Sequence, residues 1–257
     1  MNDLDITPKW FTKFKSCGSC DSNGFIIEEG KAKKCQCKLQ YEKYMLLVKG
    51  LLDANVLSYD SSKDYVTFLQ DLSLDSYKGP DEKGNIVKLQ KFVTNFSDRY
   101  SSLNLFFSGK PGTQKTTIAK ALIKTLIDKN VSCYYTLAND FIQMIIDSSR
   151  DEDKKSRLEE ILKVSFLVID EFDEDKIITY ASGWQRKNLF PVIKHRLETI
   201  QKSTLLISNK EIDHLGDYFG EAIQDLILRE IPDKTMMFED KFHLYTEKVD
   251  LSSIWDD

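Results

Sequence analysis

The segment LNLFFSGKPGTQKTTIAKALI, residues 103–123, decides the fold. It begins with apolar residues typical of a buried strand, continues with a glycine-containing loop, and ends in a helix-forming run. A strand, a glycine-rich loop and a helix in this order form the context in which a phosphate-binding loop occurs. The predicted nucleotide-binding residues of the loop are Gly109, Pro111, Gly112, Thr113, Gln114, Lys115, Thr116 and Thr117.

The residue types of this loop suit the phosphates of ATP or ADP. Backbone N–H groups of the loop and of the helix N-terminus would surround the phosphates. We expect Lys115 to reach the β- and γ-phosphates and the Thr116 hydroxyl to bind Mg²⁺. The alternative is a loop that contains glycine and lysine by coincidence, which the flanking strand and helix disfavour.

Gln114 departs from the usual pattern, which has glycine immediately before the lysine. Glycine lets the backbone approach the phosphates without a Cβ atom in the way. Glutamine at a helical φ would cost little, whereas a positive φ would strain it by roughly 1 kcal/mol or more. The sequence predicts that nucleotide binding is retained with altered affinity or slow hydrolysis.

Short apolar runs alternate with helical segments from Leu103 onward, as expected for a parallel sheet with crossover helices. The predicted strands are 103–108, 132–137, 166–170, 204–208 and 235–239. The predicted helices lie near 115–129, 138–148, 155–163, 184–201 and 219–230, with a further one at 86–100. The expected fold is therefore α/β, with a five-stranded parallel sheet.

Polar side chains follow two of these strands. Asp170 ends the strand FLVID and is expected to hold Mg²⁺, while Glu171 is placed to polarise the attacking water. Asn209 follows the strand TLLIS. Ligands of a parallel sheet lie at the carboxyl ends of its strands, so Asn209 would face the γ-phosphate beside Asp170. An Asp or Asn after a strand can also be an ordinary turn residue.

Four of the five cysteines form a cluster near the N-terminus. They are Cys17, Cys20, Cys35 and Cys37, arranged as CGSC, fourteen residues and CQC. Four thiolates on two short knuckles suit tetrahedral Zn²⁺, and so small a segment would scarcely fold without a metal. Free structural thiols and an iron–sulfur cluster are the alternatives.

Composition narrows the class of protein and its location. The net charge is −5, with 30% charged and 41% hydrophobic residues, which argues against a wholly basic nucleic-acid coat. The sequence has no apolar run of 18 residues and no signal-peptide pattern at its start. We therefore expect a cytoplasmic protein without a membrane partner.

Changes in composition divide the chain into three predicted parts. Residues 1–45 hold the cysteines and many lysines, and are predicted to be a zinc-binding module. Residues 46–75 have apolar positions at helical spacing and are interpreted as a connector. Residues 76–257 are predicted to be the ATPase domain.

The motifs together resemble the AAA+ helicase loaders of the DnaC and DnaI type and, more distantly, the IstB transposition helper ATPases. The resemblance runs from about Asp71 to Phe242 through GKPGTQKT, YYTLANDFIQMI, FLVIDEF, WQRKNLFPVIKHRLE and LLISN. It implies an AAA+ P-loop core, here without a recognisable C-terminal lid domain. It also implies that a multimer of the chain grips a hexameric DnaB-type replicative helicase and delivers it to single-stranded DNA.

The same resemblance implies that ATP lies between neighbouring subunits, with an arginine of one subunit reaching the γ-phosphate of the next. Arg229 is the candidate in this sequence, although the family usually carries its arginine a little earlier in this helix, where this sequence has Leu226. Helical spacing puts Arg229 one turn further on and on the same face. A solvated arginine at a helix C-terminus is the alternative.

The cysteine cluster favours helicase loading over transposition, because many phage and Gram-positive loaders have a similar zinc module and typical IstB proteins lack it. The expected protein is thus a helicase loader of phage or mobile-element origin, with its N-terminal module docking on the helicase. An IstB-like transposition ATPase is one alternative. A helicase-binding protein with a degenerate nucleotide site is the other.

Overall fold

A computed structural model of the 257-residue chain describes residues 17–20, 24–58, 69, 71–77, 84–172, 183–211 and 214–231. For residues 183–187 and 218 it describes the backbone alone. The predicted strand at 235–239 lies outside these residues, as does everything after residue 231.

The N-terminal part of the described chain is a hairpin followed by a long helix. Strands β1 (Phe25–Glu28) and β2 (Lys31–Lys34) pair antiparallel, and helix α1 spans Gln36–Asp53. The two turn residues, Glu29 and Gly30, have φ values of +52° and +75°. Positive φ at both central positions matches the twist of the flanking strands, so a turn of two residues can connect them.

The remaining elements alternate strands with helices, as the sequence predicts. They are α2 (Asn85–Thr94), β3 (Leu105–Phe107), α3 (Lys115–Asp128), β4 (Cys133–Leu137), α4 (Ala138–Ser148), α5 (Glu152–Lys163), β5 (Phe166–Asp170), α6 (Gly183–Lys194), β6 (Thr204–Ile207), α7 (Leu215–Phe219) and α8 (Glu221–Glu230). Within the described ranges no helix is long and apolar enough to cross a membrane.

The central sheet of the described residues has four parallel strands rather than the five predicted, in the order β3-β6-β5-β4. Its first strand also begins later than predicted. The Asn104 side chain accepts a hydrogen bond from the N–H of Thr204 and donates one to the carbonyl of Glu230. Side-chain hydrogen bonds of Asn104 thus precede the strand, and its pairing with β6 begins at Leu105.

Both faces of the sheet are buried, so its strands are mostly apolar. One face, with Phe107 and Val168 among its residues, packs against α1, α2 and α3. The other face, with Phe106 and Ile169, packs against α4, α5, α6 and α8. This three-layer arrangement explains why the strands lack an alternation of polar and apolar residues.

Three predicted helices are divided in the structure. The helix predicted at 86–100 is α2 followed by a π-helical turn over Phe96–Tyr100, and that at 184–201 is α6 followed by a π-helical turn over His195–Ile200. The third, 219–230, begins only at Glu221 because Gly220 has a φ of +89° and separates α7 from α8. Helix α5 begins three residues before its predicted start, since Asp151 caps its first N–H groups.

Helix α1 crosses the predicted boundary at residue 45 and packs into the core that contains the central sheet. A Cβ atom at Gly50 would lie 2.5 Å from Ile127 Cγ2, so glycine allows the close approach of α1 and α3. Val48 and Leu51 of the same helix are fully buried in the cluster that includes α3. The start of the predicted connector is therefore part of the core, while the three-part division itself stays a prediction.

Candidate nucleotide site

The glycine-containing loop connects the carboxyl end of β3 to the N-terminus of α3. Its backbone turns at Gly109, Gly112 and Gln114, which have φ values of +142°, +85° and +59°. The first two conformations favour glycine because it has no Cβ atom. The loop thereby brings the N-terminus of α3 to the end of the sheet, and a helix N-terminus favours a bound anion.

Lys115 is the first residue of α3 and is only 6% exposed. Its ammonium group donates to the carbonyls of Gly109 (2.5 Å) and Lys110 (2.9 Å), to Thr113 Oγ1 (3.1 Å) and to Asn209 Oδ1 (3.1 Å). A buried ammonium needs such oxygen partners, and phosphate oxygens would be stronger ones. The charge is thus held inside the loop, where phosphates would lie.

Thr116 and Asp170 meet beside this ammonium. The Thr116 hydroxyl donates to Asp170 Oδ2 at 2.7 Å, and Asp170 is 3% exposed. The other carboxylate oxygen, Oδ1, accepts the N–H of Glu171 at 2.7 Å. A carboxylate and a hydroxyl at contact distance are hard oxygen ligands of the kind that Mg²⁺ prefers, so these two residues fit the ion that the fold implies.

These residues line one cleft of about 390 Å³ at the carboxyl ends of β3, β5 and β6. The cleft is lined by Pro111, Gly112, Thr113, Gln114, Lys115, Thr116, Thr117, Asp170, Glu171, Ile207, Ser208 and Asn209. Ten of the predicted residues therefore line this cleft. An eleventh, Gly109, contacts the Lys115 ammonium in it through its carbonyl. Only Arg229 and the four cysteines lie elsewhere.

Glu171 follows β5 with a φ of +55° and is exposed at the cleft. A left-handed conformation is uncommon for glutamate and costs free energy that the surrounding structure must supply. Strain of this kind concentrates at functional sites. The backbone thus turns sharply after Asp170, and this turn carries the Glu171 side chain along the rim.

Gln114 has a positive φ, which is the strained alternative to the helical φ considered from the sequence. It precedes α3 with φ +59° and ψ +15°, and its side chain does not cap the helix. Gln114 also lines a second, neighbouring cleft of about 320 Å³, together with Asp71, Ser73, Ser76, Tyr77, Thr117 and Ile118. Its side chain is therefore positioned at the boundary between the phosphate cleft and this second cleft.

Arg229 lies on the exposed surface near the end of α8. It donates to carboxylates of Glu198 and, at 3.1 Å, of Glu230, and these contacts raise the pKa of its guanidinium. Leu226, one turn earlier, is buried. The two residues therefore differ in exposure, and of the two only Arg229 is accessible at the surface.

The four N-terminal cysteines meet at the start of α1. Their Sγ atoms all lie within 4.8 Å of one another, with separations of 3.1 Å (Cys17–Cys20), 3.8 Å (Cys17–Cys35) and 3.5 Å (Cys20–Cys37). Zinc–sulfur bonds of about 2.3 Å in a tetrahedron imply sulfur separations of about 3.8 Å. The cluster therefore fits one tetrahedral metal ion.

Tyr135 belongs to this site and was not predicted. Its hydroxyl donates to Asp170 Oδ2 at 2.9 Å from the neighbouring strand β4, and burial, with the carboxylate nearby, raises the pKa of this tyrosine. The sequence pattern YYT indicates a strand but does not say which strand lies beside it. Only the order of the sheet reveals that Tyr135 reaches Asp170.

Comparison with known proteins identifies the family and the fold. The profile described as IstB-like ATP binding protein matches residues 80–239. An insertion-sequence (IS5376) ATP-binding protein of Geobacillus stearothermophilus is 24% identical over 183 residues, which cover 71% of this chain and 66% of the relative. The replicative helicase loader DnaC of Escherichia coli K12 is 25% identical over 140 residues, 54% of each chain.

Solved structures share the fold at lower sequence identity. The crystal structure of the DnaC helicase loader superposes with a TM-score of 0.54 at 23% identity, covering 66% of this chain and 97% of that one. The structure of DnaI gives 0.53 at 20% identity, covering 67% and 93%. The chain spans between half and two thirds of the length of the curated relatives it matches. Because the family profile matches more than half of its residues, the chain belongs to the IstB-like ATP binding protein family.

Proposed function

We propose that the chain is a replicative helicase loader, which binds a hexameric DnaB-type helicase and delivers it to single-stranded DNA. The observation that carries this proposal is the assembly of Lys115, Thr116, Asp170 and Asn209 around one cleft. A cleft in which Lys115 contacts Asn209 and Thr116 contacts Asp170 is suited to binding a nucleotide with Mg²⁺. The similarity to DnaC over 140 residues supports loading as the task.

ATP or ADP would bind with its phosphates against the loop and the N-terminus of α3. Lys115 would exchange carbonyl partners for phosphate oxygens, while Thr116 and Asp170 would hold Mg²⁺. The ion, when bound, neutralises charge on the β- and γ-phosphates. Glu171 would orient the attacking water from the cleft rim, and Asn209 would face the γ-phosphate beside Lys115.

Hydrolysis in this proposal requires a multimer on the helicase. Arg229 of one subunit would reach the γ-phosphate bound by the next, after leaving Glu198 and Glu230. These carboxylates hold the arginine until a more highly charged partner replaces them. Gln114 and the paired state of Arg229 together favour slow hydrolysis by the isolated chain.

The cysteine cluster would hold Zn²⁺ through four thiolates and so fix the N-terminal module at the start of α1. Residues 1–45 would then dock on the helicase. Helix α1 supports this role because it extends from the cluster into the buried core of the ATPase part. Movement of the docked module would thus be transmitted through α1 to the nucleotide-binding part.

Loading itself provides the functional test. The helicase is mixed with a single-stranded circle coated with single-strand-binding protein, and its unwinding of an annealed oligonucleotide is measured. Addition of the chain with Mg-ATP is expected to start unwinding, and Lys115→Ala is expected to reduce the rate at least about 10-fold, since the lysine contacts the transferring phosphates. Equal loading by Lys115→Ala would favour a helicase-binding protein with a degenerate nucleotide site.

An IstB-like transposition ATPase is the second candidate. It is favoured by the match of the IstB-like profile and by the similarity to an insertion-sequence ATP-binding protein over 71% of this chain. This function predicts ATP-dependent filaments on double-stranded DNA, which electron microscopy would reveal. Such filaments, without binding to the helicase, would replace the loader proposal.

A further inference from the structure

Two hydroxyl groups converge on one oxygen of Asp170. Thr116, from α3, donates to Oδ2 at 2.7 Å, and Tyr135, from β4, donates to the same atom at 2.9 Å. We propose that Tyr135 is a positioning residue, which holds the Asp170 carboxylate in the orientation that binds Mg²⁺ beside the nucleotide. This inference rests on the nucleotide site of the proposed function.

The sheet register explains how Tyr135 reaches the carboxylate. Tyr135 pairs with Val168, and Leu137 pairs with Asp170. Tyr135 is therefore a diagonal neighbour of Asp170, two residues away along the strand and on the same face of the sheet. Diagonal neighbours are within reach of long aromatic side chains, and the tyrosine hydroxyl spans this distance.

The position of the tyrosine is fixed from the opposite side as well. Its N–H donates to the carbonyl of Ala54, and Asn55 Nδ2 donates to its carbonyl at 3.0 Å. The ring is buried, with Lys120 Nζ 4.9 Å from its centroid. The segment after α1 therefore pairs with the outer edge of β4, which fixes the backbone of Tyr135 on the side opposite β5.

Three hydrogen bonds together fix the rotation of the carboxylate. Oδ2 accepts the two hydroxyls, and Oδ1 accepts the N–H of Glu171. Because the Thr116 hydroxyl donates a hydrogen bond to Asp170, its own lone pairs are directed away from the carboxylate and could bind Mg²⁺. Hydrogen-bond partners of this kind, which orient metal ligands without touching the metal, typically change metal affinity 10- to 100-fold when they are removed.

Tyr135→Phe removes one hydroxyl and leaves the ring, so it tests the hydrogen bond without opening a cavity. Binding of a fluorescent ADP analogue to the full chain is measured while Mg²⁺ is varied, and again in EDTA. We expect Tyr135→Phe to need about 10-fold more Mg²⁺ for half-maximal binding than the wild type. Its affinity in EDTA should equal that of the wild type, because only the metal step is altered.

Tyr134→Phe is the matched control. Tyr134 lies next in the chain but packs against the other face of the sheet, with the guanidinium of Arg157 5.6 Å from its ring centroid. We expect this variant to keep the Mg²⁺ midpoint of the wild type. An equal shift in both variants would assign the effect to general loosening of β4 and overturn the inference.

An incorrect role for Tyr135 and an incorrect nucleotide site would give different results in these measurements. If the wild type binds the nucleotide and responds to Mg²⁺ but Tyr135→Phe has the same midpoint, the role of Tyr135 is wrong and the proposed function stands. If the wild type itself binds no nucleotide with Mg²⁺, the nucleotide site fails and the inference falls with it. Thermal unfolding of each variant, with and without the analogue, checks that the compared proteins are folded and reports the same metal dependence independently.

Discussion

Thr116 Oγ1 and Asp170 Oδ2 lie 2.7 Å apart although the two residues are 54 positions apart in the chain. The contact joins the helix after the phosphate-binding loop to the end of strand β5. It closes the cleft on the side where Mg²⁺ would bind. The loop and the acidic strand end are thus one site in the folded chain.

Replacement of Gln114 by glycine is expected to stabilise the chain. Gln114 has a φ of +59°, and relief of this left-handed conformation should raise the free energy of unfolding by about 0.5–1 kcal/mol. Loss of the Cβ atom should also tighten ADP binding. Urea unfolding and nucleotide titration measure the two effects.

Gln201 provides the control for this prediction, because it has a φ of +50° at the end of the π-helical turn. It is not among the residues that line the nucleotide cleft. Gln201→Gly should stabilise the chain to a similar extent and leave ADP affinity unchanged. Weaker ADP binding by Gln114→Gly would contradict the account and indicate that the glutamine side chain contacts the nucleotide.

Replacement of Arg196 is expected to lower the free energy of unfolding more than replacement of any other arginine in the described residues. It is 1% exposed and donates to the carbonyls of Leu162, Val164 and Ser203 and to Thr204 Oγ1. Among the described residues its partners are all neutral oxygens, and burial lowers its pKa to about 9. Arg196→Met would remove the guanidinium donor from three carbonyls, of which that of Ser203 still accepts the N–H of Leu167. It should lower the free energy of unfolding by about 3 kcal/mol, as measured in urea.

Arg157 is the matched surface residue for this comparison, since it is exposed and paired with Glu160. Arg157→Met should change the free energy of unfolding by less than about 0.5 kcal/mol. A small effect at both positions would show that the buried guanidinium is replaceable by an apolar side chain, which is known to occur for buried ion pairs.

Metal content tests the cysteine cluster directly. The purified chain is expected to hold about one zinc ion, and Cys20→Ser should lose it because a tetrahedral structural site needs all four ligands. Cys133→Ala should keep the metal, as Cys133 is buried in β4. Elemental analysis that finds no metal in the wild type, or iron with a visible absorption band, would reject zinc.

Arg229 should act only in the assembled state. Arg229→Ala is expected to reduce ATP hydrolysis by the helicase-bound multimer at least about 100-fold, since an arginine finger contributes more than that in related chemistry. Nucleotide binding by the isolated chain should not change, because Arg229 contacts Glu198 and Glu230 there. Arg150→Ala, at an exposed arginine after α4, is the control; equal hydrolysis by wild type and Arg229→Ala would exclude this role.

The phosphate-binding loop and the order of strands and helices could be predicted because each depends on local sequence. Strand β5 has its predicted bounds, Phe166–Asp170, and α4 its predicted bounds, Ala138–Ser148. The division of the longer helices could not be predicted from their apolar spacing. It depends on π-helical turns and on Gly220, whose φ of +89° interrupts the helical path.

The contacts between distant segments were beyond the sequence pattern. Tyr135 reaches Asp170 because β4 and β5 are neighbours, and Gly50 is required because α1 packs against α3. The left-handed backbone of Gln114 likewise follows from the turn that starts α3. Residue types thus indicated the candidate residues that the structure brings to one cleft, while the contact of Tyr135 with Asp170 required the tertiary structure.

The most direct test of the loader proposal is the mass of the complex with the helicase. Mass photometry of the purified chain with the hexameric replicative helicase of its source, with and without Mg-ATP, should detect a complex heavier than the bare hexamer, and the proportion of this complex should depend on the nucleotide. The bare hexamer alone in both conditions would contradict the loader function and favour the transposition ATPase.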